Sequence, residues 1–100
     1  LQVIQTTLPG KWVEAEVAAF CQSMLEAGAA CTQYSAIHSM YKWEEEIQSE
    51  PEWRIQIKTA QEKAEIVIAQ IHSLHPYETP QIISWDINVN EAYSNWANTL

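Results

Sequence analysis

From Cys31 to Trp43 the chain alternates with a period of two. Ile37, Ser39, Tyr41 and Trp43 share one face, and Ala36, His38, Met40 and Lys42 share the other. A second run follows in which Trp53, Ile55 and Ile57 alternate with Arg54, Gln56 and Lys58, the mark of a half-buried antiparallel strand. The two runs make a long hairpin. Glu44-Glu45-Glu46 and Glu50-Pro51-Glu52 lie between them and read as its acidic loop, a hairpin end whose charge discourages edge pairing. The rest of the chain has to cover at least one face of this hairpin.

Two helical stretches can do so. From Trp12 to Ala27 the apolar positions Val13, Val17, Phe20, Cys21, Met24 and Leu25 recur at helical spacing, and Gly28 stands where a helix C-cap belongs. Thr59-Ala60-Gln61-Glu62 fits a capping box opening a second helix, with Ala64, Val67, Ile68, Ile71 and Leu74 as its buried stripe. Leu1 to Thr7 reads as a strand that Pro9-Gly10 breaks. Ile82, Ile83, Trp85 and Ile87 read as another, and Asn88 opens a short helix carrying Tyr93, Trp96, Ala97 and Leu100. The order β-α-β-β-α-β-α predicts an α+β, ferredoxin-like antiparallel sheet with an added C-terminal helix, as one domain over residues 1–100. Two helices cover one sheet face only. With Trp43, Trp53 and Trp85 all on strands, the uncovered face is expected to be aromatic and to form an interface.

The crossover from second helix to last strand is stiff. Pro76 cannot continue a helix and biases His75 away from it, and Pro80 does the same to Thr79. His75, Tyr77 and Glu78 therefore hold an imidazole, a phenol and a carboxylate in a restrained segment. His72-x-x-His75 has helical spacing with Glu78 close behind. Imidazole suits copper, zinc or nickel, and a thiolate from Cys31 would favour Cu(I) or zinc. A proline directly after His75 makes the two rings diverge, so a rigid turn with solvated polar groups accounts for the same residues.

Thirteen acidic residues against five basic give a net charge of −8, which repels nucleic acid and anionic membrane. No apolar run approaches the length of a membrane span, and the residues from Leu1 onward show no signal-peptide pattern. Cys21 and Cys31 form no CxxC pair or disulfide framework, so a reducing, cytoplasmic setting is expected. With two glycines, Gly10 and Gly28, there is no phosphate-binding loop. Ser39 and Ser84 lack the context of an activated nucleophile, so the chain is not read as an enzyme.

His75-Pro76-Tyr77-Glu78-Thr79-Pro80 followed by an apolar strand resembles the signature of the CutA family, the divalent-cation tolerance proteins. Thr6-Thr7, Ala29-Ala30-Cys31, Ser39-Met40-Tyr41-Lys42-Trp43-Glu44, Ile57-Lys58-Thr59 and Tyr93-x-x-Trp96 match in order and spacing across nearly the whole chain. The resemblance implies a homotrimer whose sheets pack together and whose hairpins reach into neighbouring subunits, linked to tolerance of copper or another divalent metal. Some family members place proposed copper ligands at the positions of Thr6 and Leu74. Neither residue here can replace them, which implies weak or indirect copper contact centred on His75, with Glu78 alongside. Glu45 stands where the family usually has glycine.

The resemblance also implies a pocket at the subunit boundary built from Cys31, Trp43, Lys58, His75, Tyr77 and Glu78. Trp43 and Tyr77 would be its walls, and Lys58 either a cation for an anionic ligand or the partner of a carboxylate such as Glu78. A PII-like small-molecule signalling trimer without metal is the main competing reading. An RRM-type RNA binder would need a basic sheet that this chain lacks.

Overall fold

The computed structural model describes all residues from Leu1 to Leu100. The elements are β1 (Gln2–Pro9), α1 (Glu14–Ala27), β2 (Cys31–Trp43), β3 (Glu46–Thr59), α2 (Ala64–Leu74), β4 (Ile83–Asp86) and α3 (Glu91–Asn98). The four strands form one antiparallel sheet in the order β2-β3-β1-β4. This is the expected α+β, ferredoxin-like plan with its C-terminal helix.

Strand register divides the sheet into two faces. Ile4 pairs with Ile57, Thr6 with Ile55 and Leu8 with Trp53, and all six side chains share one face. Under α1 and α2, Ile4, Leu8, Ile55 and Ile57 reach zero exposure together with Val17, Met24, Val67 and Ile71. The helical stripes are narrower than their periodicity suggests. Val13, Leu25 and Leu74 lie beyond the sheet's reach and stay exposed.

Several local expectations change. The capping box is not at Thr59, because β3 carries on to that residue and the Thr59 hydroxyl donates to the Ala60 carbonyl. A 3-10 turn at Gln61–Lys63 leads into α2 instead. A half-box opens α1, where the Glu16 carboxylate accepts the Val13 N–H at 3.0 Å; valine has no acceptor to return. At the other end of α1, Gly28 takes φ +122°, and the N–H groups of Gly28 and Ala29 close back onto Leu25 and Met24. Asn90, not Asn88, precedes α3.

The largest difference is the hairpin. Its loop is only Glu44-Glu45, both at positive φ, and β3 already begins at Glu46. The acidic stretch is strand, not loop. Pairing with β1 ends at Glu52, so from His38–Pro51 outward to Trp43–Glu46 the hairpin is a ribbon of two strands with no neighbour. Pro51 is tolerated there because that side of β3 is an edge. Gly10 permits the close passage beneath: a β-carbon on it would stand 2.4 Å from the Pro51 carbonyl oxygen.

Candidate functional site: a groove on the open sheet face

The second face carries the side chains at alternate positions. Reading along β3, its cross-strand rows are Cys31–Lys58–Val3–Trp85, then Gln33–Gln56–Gln5–Ile83, then Ser35–Arg54–Thr7, then Ile37–Glu52–Pro9. Trp43 and Trp85 belong to this face and are exposed, as expected. Trp53 does not: register places it on the helix side, half-buried, with its indole N–H donated to the Trp12 carbonyl at 3.0 Å.

Pro76 stops α2 and turns the chain across the Glu52 end of this face. The walls of the resulting groove come from β1, β2, β3 and the segment from Pro76 on, around a space of about 670 Å³. Tyr41, Trp43 and Tyr77 give it aromatic walls, Thr7 and Ser39 give hydroxyls, and Glu52 and Glu78 give carboxylates. Glu52 is only 7 % exposed, and its Oε2 accepts the Tyr77 hydroxyl at 2.6 Å. Burial, reinforced by that hydrogen bond, pushes the Tyr77 phenol well above its ordinary value. On the ribbon, the Tyr41 hydroxyl donates to Glu50, and that hydrogen bond pushes the Tyr41 phenol up to about 12.

His75 stands behind the groove, and both its ring nitrogens are engaged. Nε2 lies 2.7 Å from the Thr7 carbonyl oxygen and 3.1 Å from the Thr6 hydroxyl, while Nδ1 accepts the Tyr77 N–H at 3.2 Å. An N–H on Nε2 and a lone pair on Nδ1 satisfy this set, which is the neutral ring in one tautomer. Phe20 meets the ring edge-on at 6.4 Å. Burial holds the His75 pKa below 6.5, although the Thr7 carbonyl and Glu52 oppose it. Its main geometric effect is to fix Tyr77, and through Tyr77 the position against Glu52.

The six residues expected in one pocket are split within the chain. Trp43, Tyr77 and Glu78 line the groove and His75 supports it, whereas Cys31 and Lys58 lie in the row six residues away along β3, about 20 Å at strand spacing. Lys58 does not meet Glu78; its ammonium donates to Gln33. Cys31 is half-buried there. Burial and then Cys31 raise the Tyr93 phenol.

The metal set is not assembled either. His72 is exposed and no group of three His, Cys, Asp or Glu side chains converges anywhere. Thr6 spends its hydroxyl on His75, and Leu74 has no donor. These residues do not fit a resident metal ion. Glu52, the buried acid of the groove, was the residue that sequence reasoning missed. Its parity with Lys58 and Arg54 would have put it on the open face.

The family model of the CutA1 divalent ion tolerance protein matches residues 2–99. The chain belongs to the CutA1 family. The divalent-cation tolerance protein CutA of Thermotoga maritima is 40% identical over 68 residues, covering 67% of each chain. Its namesake in Pyrococcus horikoshii is 33% identical over 96 residues, covering 94% of this chain and 91% of its own. Among solved structures, the Archaeoglobus fulgidus protein, described as a periplasmic divalent cation tolerance protein, superposes with a TM-score of 0.88 at 27% identity, covering 98% and 95%. A Nostoc protein described as PII-like CutA superposes at 0.84 with 25% identity, covering 97% and 93%. The CutA1 relatives are named for tolerance, not for a reaction, and no helix of this chain is long and apolar enough to cross a membrane.

Proposed function

We propose that the chain works as a cytoplasmic homotrimer in tolerance of divalent metal ions such as copper, taking a small ligand at the subunit boundary and catalysing no reaction. The observation that carries assembly is the overhanging ribbon. A two-stranded ribbon is marginal in water on its own, yet this one presents Met40 and Ile47 more than 70 % exposed, with Tyr41 and Trp43 beside them. Packing against neighbouring copies would dry these side chains. Free Cys21 and Cys31 suit a reducing compartment.

Copper contact in this reading is weak and centres on His75 and Glu78. A metal can reach Nδ1 only by displacing the Tyr77 N–H, and Glu78 is exposed and unsupported. The groove's aromatic walls favour a second reading, a PII-like trimer that senses a small molecule without metal, and the Nostoc relative is described in those terms. Sedimentation equilibrium at micromolar protein should give the trimer mass. A stable monomer would remove both readings, since each needs the boundary. Calorimetric titration with Cu(II) separates them: weak binding lost in His75→Ala supports the first, and no heat supports the second.

A further inference from the structure

We infer that the groove between the ribbon and the segment after Pro76 is a binding site for a small organic cation, an amine or quaternary ammonium group. The site rests on the trimer reading in one respect: neighbouring subunits must leave the groove open.

Three features of the groove favour this chemistry. Tyr41, Trp43 and Tyr77 line it, and an ammonium group is attracted to the face of an aromatic ring, most strongly to indole. Tyr77 and Tyr41 both donate their protons to carboxylates, Glu52 and Glu50, which enriches the rings and keeps both phenols un-ionised at neutral pH. The charged side chains lining the groove are Glu52 and Glu78; no lysine or arginine lines it.

The same geometry disfavours the alternatives. A hard divalent ion needs several oxygens converging on one point. Here Glu52 and Glu50 are each tied to a tyrosine, and no group of three ligands forms. An anion would need a positive partner. Lys58, the expected candidate, is bonded to Gln33 about 20 Å along the strand. A diffuse positive charge on a methylated or alkylated nitrogen needs no such convergence. It gains from aromatic walls with a carboxylate behind them, and about 670 Å³ is ample for it.

The test uses choline and its uncharged carbon isostere, 3,3-dimethyl-1-butanol, titrated calorimetrically into the full chain. Choline should bind saturably, and the isostere at least tenfold more weakly, because only the charge differs. Trp43→Leu keeps apolar volume but removes the indole face, and should weaken choline by roughly an order of magnitude. Glu52→Gln keeps an acceptor for Tyr77 and should weaken it similarly, while Glu65→Gln on α2 makes the same charge change elsewhere and should leave it unaltered. Sedimentation of each variant shows whether assembly is retained. An intact trimer that shows no choline saturation overturns the inference and leaves the trimer reading standing; a monomer that binds choline does the reverse. Equal binding of the isostere, or retention in both Trp43→Leu and Glu52→Gln, also overturns it. So does a preference for inorganic phosphate, which would mean that a neighbouring subunit brings its lysine into the groove.

Discussion

The two faces of the sheet are built to different rules. Beneath α1 and α2, the contacts are almost wholly apolar, and Ile4, Leu8, Ile55 and Ile57 are completely buried within one chain. On the other face the rows pass from Cys31–Lys58, through glutamines, to Glu52 and the aromatic ribbon. Its part-buried contact between Glu52 and Tyr77 is directional, and His75, held on the Thr7 carbonyl behind the groove, fixes Tyr77 in it. The first face holds the fold together by non-directional burial. The second fixes particular atoms in place and leaves apolar surface over. A face that only stabilised the monomer would need neither property.

The sharpest way to test that contrast is to cut a residue from each face. Ile57→Ala removes a fully buried side chain between sheet and helices and should cost about 2–5 kcal/mol in denaturant unfolding. It should do so whatever the protein concentration. Trp43→Ala on the ribbon should instead act through assembly. Its loss in melting temperature should grow on dilution, because another copy packs against part of the Trp43 side chain. Equal, concentration-independent losses from both variants would erase the distinction between the faces.

The closed face was legible because burial by helices leaves a periodic imprint. Val17, Phe20, Cys21 and Met24, or Ala64, Val67 and Ile71, can be read off spacing alone. The ribbon was not, since Glu44-Glu45-Glu46 and Glu50-Pro51-Glu52 have the composition of a loop. Both faces of the ribbon are wet in the single chain, so charge there costs little and carries no structural imprint. Glu52 was hidden for a related reason. What buries it is the segment after Pro76 folding across from far along the chain, and no local pattern encodes that contact. Lys58 and Cys31 were grouped with Trp43 by resemblance as a pocket at a subunit boundary; within one chain strand spacing keeps them apart, and the pocket as expected needs a second copy.

The directional contacts of the open face can be broken singly. Glu52→Ala removes the acceptor of a partly buried phenol and should cost about 1–3 kcal/mol, with Glu52→Gln costing less because an amide oxygen still accepts. A smaller effect follows from His75. Its folded pKa lies below the unfolded value, so the unfolded chain takes up the proton first. The stability that neutral His75 contributes is therefore complete above about pH 6.5 and is lost as pH falls below that value. The slope from one proton cannot exceed about 1.4 kcal/mol per pH unit. Chemical unfolding at several pH values between neutral and acid should show that slope in the parent and a reduced one in His75→Gln. An unchanged slope would assign the pH dependence to other groups.

The smallest expected effect concerns the tip, where the ribbon turns. Glu44 and Glu45 adopt φ of 51° and 69°, the left-handed region, joining Trp43 to Glu46 in a two-residue turn. That turn suits the twist of the strands, but an L side chain in it costs roughly 1–2 kcal/mol, against little for glycine. Glycine also raises the entropy of the unfolded chain, by about 0.5–1 kcal/mol. The balance favours Glu45→Gly by less than about 1 kcal/mol, and removal of one of three adjacent negative charges adds to it. Glu46→Gly lies one residue on, inside β3, where the same entropic cost meets no strain to relieve, so it should destabilise. A pair of thermal melts shifting in opposite directions would locate the strain in the turn. Two downward shifts would mean that Glu45 makes contacts at the tip, with a neighbouring copy of the chain, that outweigh its backbone.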